Sequence, residues 1–360
     1  MELFGQTPTQ LILFFILYGV TGAMPLFAAL YLLLRRGNAF APDVTPPVRL
    51  RRWAAAFFAV ATLGHVWWFL FYIYSRDLQS ASYVAVGVLD CVALLTTVAG
   101  TLLTMLQDRK RPVWPAFAAM VPFVVLGGLQ ILFPETSFLN IASIYILSIY
   151  VVFSVYMVFA VRKYDRWLND NYADLENKKV WLSQVVTFGF MLLFILYILV
   201  ADIALLYVLH ITEILFFGLL LWRVETLPQL PTLTQQPTIA PPTTLDLKQT
   251  ELLLAEYCVD RQLYLRHELT LQQLAQEIGT NRSYLSQYFS RQGITYNTYI
   301  NNLRINHFIK RYQESAAAHQ PIVVQQLVNE SGYRSYSTFS LAFKQRTGQT
   351  VTAWMRNTAE

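Results

Sequence analysis

The first 225 residues consist mainly of long apolar runs that are separated by short polar segments. Seven of these runs reach the roughly 20 residues that a helix needs to cross the hydrocarbon core of a bilayer. Because a backbone in lipid must satisfy its own hydrogen bonds, we predict that each run is a transmembrane helix. The predicted spans are 10–34, 53–74, 81–106, 114–133, 138–161, 181–200 and 203–222.

Residues 245–360 follow a different pattern, in which apolar positions recur at helical spacing among many polar residues. The stretch 269–293 is typical of two short amphipathic helices that are joined by a glycine-containing turn. The same layout recurs in 323–348, and a longer helix is predicted between the two copies. No alternating strand pattern is present, so the sequence predicts an all-α protein whose soluble part holds two helix-turn-helix units.

The two patterns are separated by a stretch of low complexity. Residues 226–244 read TLPQLPTLTQQPTIAPPTT, with five prolines and no charged residue. Such a composition cannot bury a core and favours extended segments, so we interpret it as a spacer. The predicted domains are a membrane domain over 1–225, a linker over 226–244 and a soluble domain over 245–360.

Composition agrees with a chain that is partly embedded in lipid. Of its 360 residues, 55% are hydrophobic and 14% are charged, whereas about a quarter are charged in soluble domains. Only two cysteines are present, Cys91 and Cys258, which excludes a disulfide framework and a cysteine-based zinc site. No phosphate-binding loop, dinucleotide fingerprint or hydrolase motif occurs, so we predict no enzyme, no cofactor and no bound metal.

The distribution of basic residues predicts how the spans are oriented. Fourteen Lys and Arg residues fall on one side of the predicted membrane, and Arg76 alone falls on the other. Basic residues are retained on the cytoplasmic side. We therefore expect a multi-pass protein of the inner (cytoplasmic) membrane, with its N-terminus outside and residues 223–360 in the cytoplasm.

The duplicated unit resembles the DNA-binding domain of AraC/XylS-type regulators. The resemblance rests on LTLQQLA, GTNRSYLSQYF, LRI and SGYRSYSTFSLAFKQRTGQT, and it covers roughly 250–356. It implies that two helix-turn-helix units, joined by a rigid helix, read adjacent major-groove segments of double-stranded DNA. The resemblance also implies RNA polymerase as a partner and is compatible with a homodimer.

The resemblance implies which side chains contact DNA. Small polar side chains and an arginine suit base edges, and the candidates for base contact are Arg282, Ser283, Ser286, Gln287, Tyr336, Ser337, Ser340 and Leu341. The candidates for phosphate contact are Arg291, Lys344 and Arg346, and a solvated charge is the alternative for each. Arg304 in the intervening helix is interpreted as a structural ion-pair residue and not as a DNA contact.

Four ionisable residues lie inside the predicted spans, namely His65, Asp90, His210 and Glu213. Such residues are costly in hydrocarbon and often functional. Counted from the predicted outer ends, all four lie about 10–15 Å below the outer surface. We predict that they line a polar sensor pocket for an unknown small ligand or ion. Buried polar groups that tie helices together are an equally open interpretation, and a catalytic role is a third.

Together these observations predict a one-component transcriptional regulator that is anchored in the lipid bilayer and controlled by a membrane sensor. Two other classes remain open. One is a membrane receptor or transporter-like protein whose C-terminal helices bind a protein partner. The other is an intramembrane enzyme with a regulatory tail. Sequence-specific DNA binding separates the first prediction from both.

Overall fold

The structure is a computed structural model that describes residues 7–74, 80–200, 203–230 and 247–359. Every regular element in these ranges is a helix, apart from one isolated antiparallel bridge between Tyr172 and Thr270. The all-α prediction is therefore confirmed. The predictions that concern Arg76, the corner at 201–202 and residues 231–244 of the linker lie outside the described residues.

Each predicted span coincides with one helix. Six of the helices are long and apolar enough to cross a membrane, and α6 is apolar but shorter in the part that is described. The helices are α1 Pro8–Leu34, α2 Val48–Tyr74, α3 Ala81–Met105, α4 Trp114–Leu132, α5 Phe138–Asn171, α6 Trp181–Val200 and α7 Ile203–Thr226. The one large difference is α5, which continues past the predicted end at 161 through a polar segment. Length in lipid limits only the apolar part of a helix, so α5 can extend further in water.

The chain forms two compact units, of which the first comprises Met1–Tyr164 and Val180–Leu230. Within it, α1 packs on α2 and α7, α2 on α3, α3 on α4, and α6 on α7. Small residues allow close approach of the backbones, as is usual between helices in membranes. Gly100 of α3, for example, lies directly against the Trp53 ring of α2, where a larger residue has no room.

The segment that follows α7 is also packed in the first unit. The Gln107 side chain donates to the Pro228 carbonyl at 3.0 Å and accepts from the Leu230 amide at 2.9 Å. Both Leu227 and Leu230 are buried. The first residues of the predicted linker therefore belong to this compact unit, because their backbone groups and apolar side chains find partners there.

The second unit comprises Asp165–Lys179 and Pro231–Glu360. Its helices are α8 Leu247–Leu253, α9 Leu271–Glu277, α10 Arg282–Arg291, α11 Tyr296–Ala317, α12 Val324–Glu330, α13 Tyr336–Thr347 and α14 Val351–Ala359. A π-helical turn, Leu254–Asp260, continues α8. Two apolar cores form, one around α9 and α10 and one around α12 and α13, and α11 contributes residues to both.

Candidate functional site

The first helix-turn-helix consists of α9 and α10. A capping box starts α9, in which Thr270 and Gln273 each bond the other's backbone amide. After α9, Gly279 has a φ of +74°, which L side chains rarely adopt, and this permits the tight turn. The Asn281 side chain then caps α10 by accepting from the Tyr284 amide at 2.7 Å. Local sequence thus determines the turn that presents α10.

The exposed face of α10 carries the predicted base contacts. Leu285 and Phe289 are fully buried, which orients the helix. On its outer side Ser283 and Gln287 are exposed, and Ser286 is half-buried. These side chains lie on the outer side of α10, as contact with bases requires, and the contact itself stays a prediction.

The second helix-turn-helix repeats this arrangement with α12 and α13. Ser335 caps α13, and Phe339 and Phe343 are fully buried. The predicted base contacts again lie on the outer side. Tyr336, Ser337 and Leu341 are exposed and Ser340 is half-buried.

Helix α11 joins the two helix-turn-helix units, and a buried arginine on it contacts residues of both. Arg304 is 1% exposed and donates to the carbonyls of Tyr264, Arg266 and His267 at 2.7, 2.6 and 3.3 Å. Its guanidinium also lies 5.4 Å from the centre of the Tyr333 ring in the second helix-turn-helix. Burial lowers the pKa of Arg304 from its usual value. The described hydrogen-bond partners of Arg304 are backbone carbonyls, so the side chain ties α11 to the segment before α9, and the expected ion pair stays a prediction.

The three phosphate candidates differ in their surroundings. Arg291 and Lys344 are exposed at the ends of α10 and α13. Arg346 is also exposed, but its guanidinium bonds the Asn302 carbonyl and lies 2.6 Å from Asn306 Oδ1. Contact between Arg346 and a phosphate would therefore compete with its bonds to α11.

Residues 165–179, which we call the clasp segment, pack on the first helix-turn-helix. This segment comprises the last residues of α5 and the loop that leads to α6, and it belongs to the second compact unit. The Ala173 amide donates to the Leu269 carbonyl at 3.3 Å, and the Asn297 side chain donates to the carbonyls of Tyr172 and Ala173 at 3.1 and 2.8 Å. Ala173 is 1% exposed and is part of the core around α9 and α10.

The clasp segment also contacts the starts of both helices that are predicted to read DNA. Arg282 Nε donates to Asn171 Oδ1 at 2.6 Å, and Thr338 of α13 donates to Glu176 Oε2 at 3.4 Å. Lys178 pairs with Glu268 at 3.5 Å. Burial lowers the pKa of Arg282, whose side chain is half-buried and bonded to Asn171, and its contact with a base stays a prediction. This contact was not predicted, and its one signal in the sequence is that the polar segment between the apolar parts of α5 and α6 is longer than a tight turn requires.

In the first compact unit, which holds the apolar helices, the structure brings three of the four predicted sensor residues together. Ligand atoms of His65, His210 and Glu213 all lie within 4.8 Å of one another. Asp90 is placed differently: it accepts from the Trp68 indole N–H at 3.0 Å, and its other oxygen faces Gly64. The predicted pocket therefore divides into a three-residue cluster and a separate carboxylate.

Residues 274–357 match the family of proteins described as a helix-turn-helix domain. The class is thus that of a helix-turn-helix protein that binds DNA. The domain is of the AraC type, and together with the apolar helical N-terminal region it supports an AraC-type regulator with a membrane domain. The family is not an enzymatic one, which is consistent with the prediction of no catalytic activity. No curated protein and no solved structure is significantly similar to the chain.

Proposed function

We propose that the chain is a one-component transcriptional regulator in which the membrane domain controls sequence-specific DNA binding by α10 and α13. One observation carries the proposal: the clasp segment, which lies in the chain between the apolar parts of α5 and α6, belongs to the compact unit that holds the helix-turn-helix helices. A tail that was merely tethered would have no need for such a connection. RNA polymerase and a second copy of the chain stay proposed partners.

The proposed DNA surface consists of the outer faces of α10 and α13. Ser283 and Gln287 on α10 and Ser337 on α13 are exposed polar residues that suit base edges. The basic residues Arg291 and Lys344 stand at the helix ends, where they would meet phosphates and provide the salt-dependent part of affinity.

Control is proposed to act through two bonds of the clasp segment. Asn171 holds the guanidinium of Arg282, and Glu176 accepts from Thr338. Both partners lie in the first turn of a reading helix, which in helix-turn-helix proteins faces the DNA. Because α5 is one continuous helix up to Asn171, a change in the membrane domain that moves the end of α5 would alter these bonds.

The test of DNA binding uses the full chain in lipid nanodiscs. Binding sites are first located in cells by chromatin immunoprecipitation with sequencing, and affinity for such a site is then compared with random DNA at several salt concentrations. A specific site is expected to bind at least about a thousandfold more tightly. Equal affinity for both DNAs would favour the alternative in which the C-terminal helices bind a protein.

The test of control uses variants of the clasp segment. Asn171→Ala and Glu176→Ala, which remove the two acceptors, are compared with Asn169→Ala, whose side chain bonds the Asp165 carbonyl of its own helix. Target-gene output is measured at matched amounts of membrane-inserted protein. We expect the first two variants to change output and the control to leave it as in the wild type. Unchanged output in all three would contradict control through this segment.

Orientation is tested separately with reporters. A reporter that is active only in the cytoplasm should work at the C-terminus and fail at the corner 134–137. Activity at both positions would mean that the number of membrane crossings between them differs from the three that are proposed, α5, α6 and α7.

A further inference from the structure

Four polar side chains from three helices converge inside the first unit, and we call them the intramembrane cluster: Thr21 of α1, His65 of α2, and His210 and Glu213 of α7. Glu213 Oε2 lies 3.4 Å from His210 Nδ1 and 3.8 Å from His65 Nε2. Thr21 Oγ1 lies 3.0 Å from His65 Nε2 and 3.4 Å from His210 Nδ1. All four side chains are buried or nearly so.

The hydrogen bonds around the cluster determine which atoms carry protons. His65 Nδ1 lies 2.9 Å from the Ala61 carbonyl, so this nitrogen is the N–H donor and Nε2 presents a lone pair to the cluster. The hydroxyl of Thr21 has its own acceptors in the carbonyls of Leu17 and Tyr18, at 3.0 and 3.1 Å. A threonine in a helix commonly bonds back in this way.

Lone pairs therefore face one another at the centre of the cluster. A carboxylate oxygen accepts hydrogen bonds only, and His65 Nε2 is a second acceptor, which shares the single Thr21 hydroxyl proton with the carbonyls of Leu17 and Tyr18. Acceptors that face each other in a buried site repel unless a cation lies between them. The arrangement thus suits a bound proton or a bound metal ion, with His210 Nδ1 as a third ligand atom 3.4 Å from the Glu213 carboxylate.

The geometry favours a metal ion. Two ligand atoms that are each about 2.0 Å from a tetrahedral zinc ion are about 3.3 Å apart, and two of the three separations between protein ligands here are 3.4 and 3.8 Å. The bond from His65 Nδ1 to a carbonyl is the outer-shell contact that orients metal-bound histidines. A shared proton would instead need one short bond, and the nitrogen–carboxylate distances are both too long for that.

We propose that the membrane domain binds one divalent transition-metal ion of the zinc type through His65 Nε2, His210 Nδ1 and Glu213 Oε2. Two imidazoles and a carboxylate suit such ions, and three protein ligands leave one position for an exogenous ligand. A metal ion at this cluster would depart from the expectation that the protein holds none. That the ion is the input of the regulator rests on the proposed function, whereas its binding does not.

The experiment uses the full chain, purified in detergent, stripped with a chelator and titrated with Zn²⁺ alone. Bound metal is measured by elemental analysis, and affinity by competition with a chromogenic chelator. Wild type is expected to hold one Zn²⁺ per chain. His65→Ala and Glu213→Gln should weaken binding by more than the roughly 10–100-fold that loss of an outer-shell partner costs.

Two controls separate loss of a ligand from loss of the fold. Asp90→Asn changes the nearby carboxylate outside the cluster, and His319→Ala removes a histidine of the other unit. Both should keep the wild-type affinity. His65→Cys offers zinc a different ligand and should recover binding relative to His65→Ala, which a misfolded protein could not do.

Three results would overturn the metal site. They are the absence of stoichiometric zinc in the wild type, equal zinc in wild type and cluster variants, and equal zinc loss in the controls. Target-gene output distinguishes this failure from failure of the proposed function. If the cluster variants lose zinc but keep normal output, the metal site stands and its sensory role falls. If they alter output and wild type never binds zinc, membrane control stands without the metal.

Discussion

Replacing Asn171 with alanine removes the acceptor that holds the Arg282 guanidinium in the clasp segment. The bond is 2.6 Å long and involves a charged donor, a type that contributes about 1.5–3 kcal/mol. Because Arg282 is only half-buried, we take the lower end of this range, which corresponds to about a tenfold change in an equilibrium constant. If Arg282 must leave Asn171 to reach DNA, Asn171→Ala should tighten operator binding by about this factor.

The assay is fluorescence anisotropy with labelled operator DNA and the full chain in nanodiscs, at one fixed salt concentration. Four proteins complete a double-mutant cycle: wild type, Asn171→Ala, Arg282→Ala and the double variant. Arg282→Ala alone should weaken binding, by about 1–3 kcal/mol if the side chain contacts a base. In the Arg282→Ala background, Asn171→Ala should have no further effect, because no guanidinium is left to release.

Two results of the double-mutant cycle would contradict the prediction for Asn171→Ala. If Asn171→Ala tightens binding equally with and without Arg282, the effect does not pass through this bond. If Asn171→Ala weakens binding, Asn171 holds Arg282 ready for DNA instead of withholding it. Asn169→Ala, on the same helix, should match the wild type throughout.

Three further predictions concern the second unit. Gln287→Ala should relax specificity at one base position by about 1–3 kcal/mol, whereas Arg291→Ala should weaken binding to all sequences alike and lower the slope of its salt dependence; equal behaviour of both variants in a site-selection assay would contradict the assignments. Burial raises the pKa of the Cys258 thiol to about 12, so alkylation near pH 8, followed by mass spectrometry, should modify it only after denaturation, since the thiolate is the reactive form. Gly332→Ala should destabilise the domain by at least about 1–2 kcal/mol, because its φ is +86° and an added Cβ would lie 2.9 Å from the Leu265 carbonyl oxygen. The measurement is the urea concentration at which half of the operator binding is lost, and an unchanged value would refute this prediction.

The elements themselves follow from sequence because their causes are local. Lipid forces each apolar run to close its own hydrogen bonds, so all seven helices could be predicted, although the polar end of α5, from 162 to Asn171, was missed. Likewise Gly279, Asn281 and Ser335 mark turns and caps through their own backbone preferences and side-chain oxygens. The helical period alone then predicts that Leu285 and Phe289 are buried.

Tertiary structure decided which polar groups meet, because their partners lie far apart in the chain. Arg282 looks like a free DNA contact in sequence, yet it bonds Asn171, which precedes it by 111 residues. Depth in the membrane placed Asp90 with His65 and His210, but depth does not determine the direction in which a helix face points. Only the packing of α1, α2 and α7 rotates the histidines toward Glu213 and leaves Asp90 to Trp68. Periodicity determines a helix and its buried face, whereas the angle at which packed helices meet determines which ionisable groups share a site.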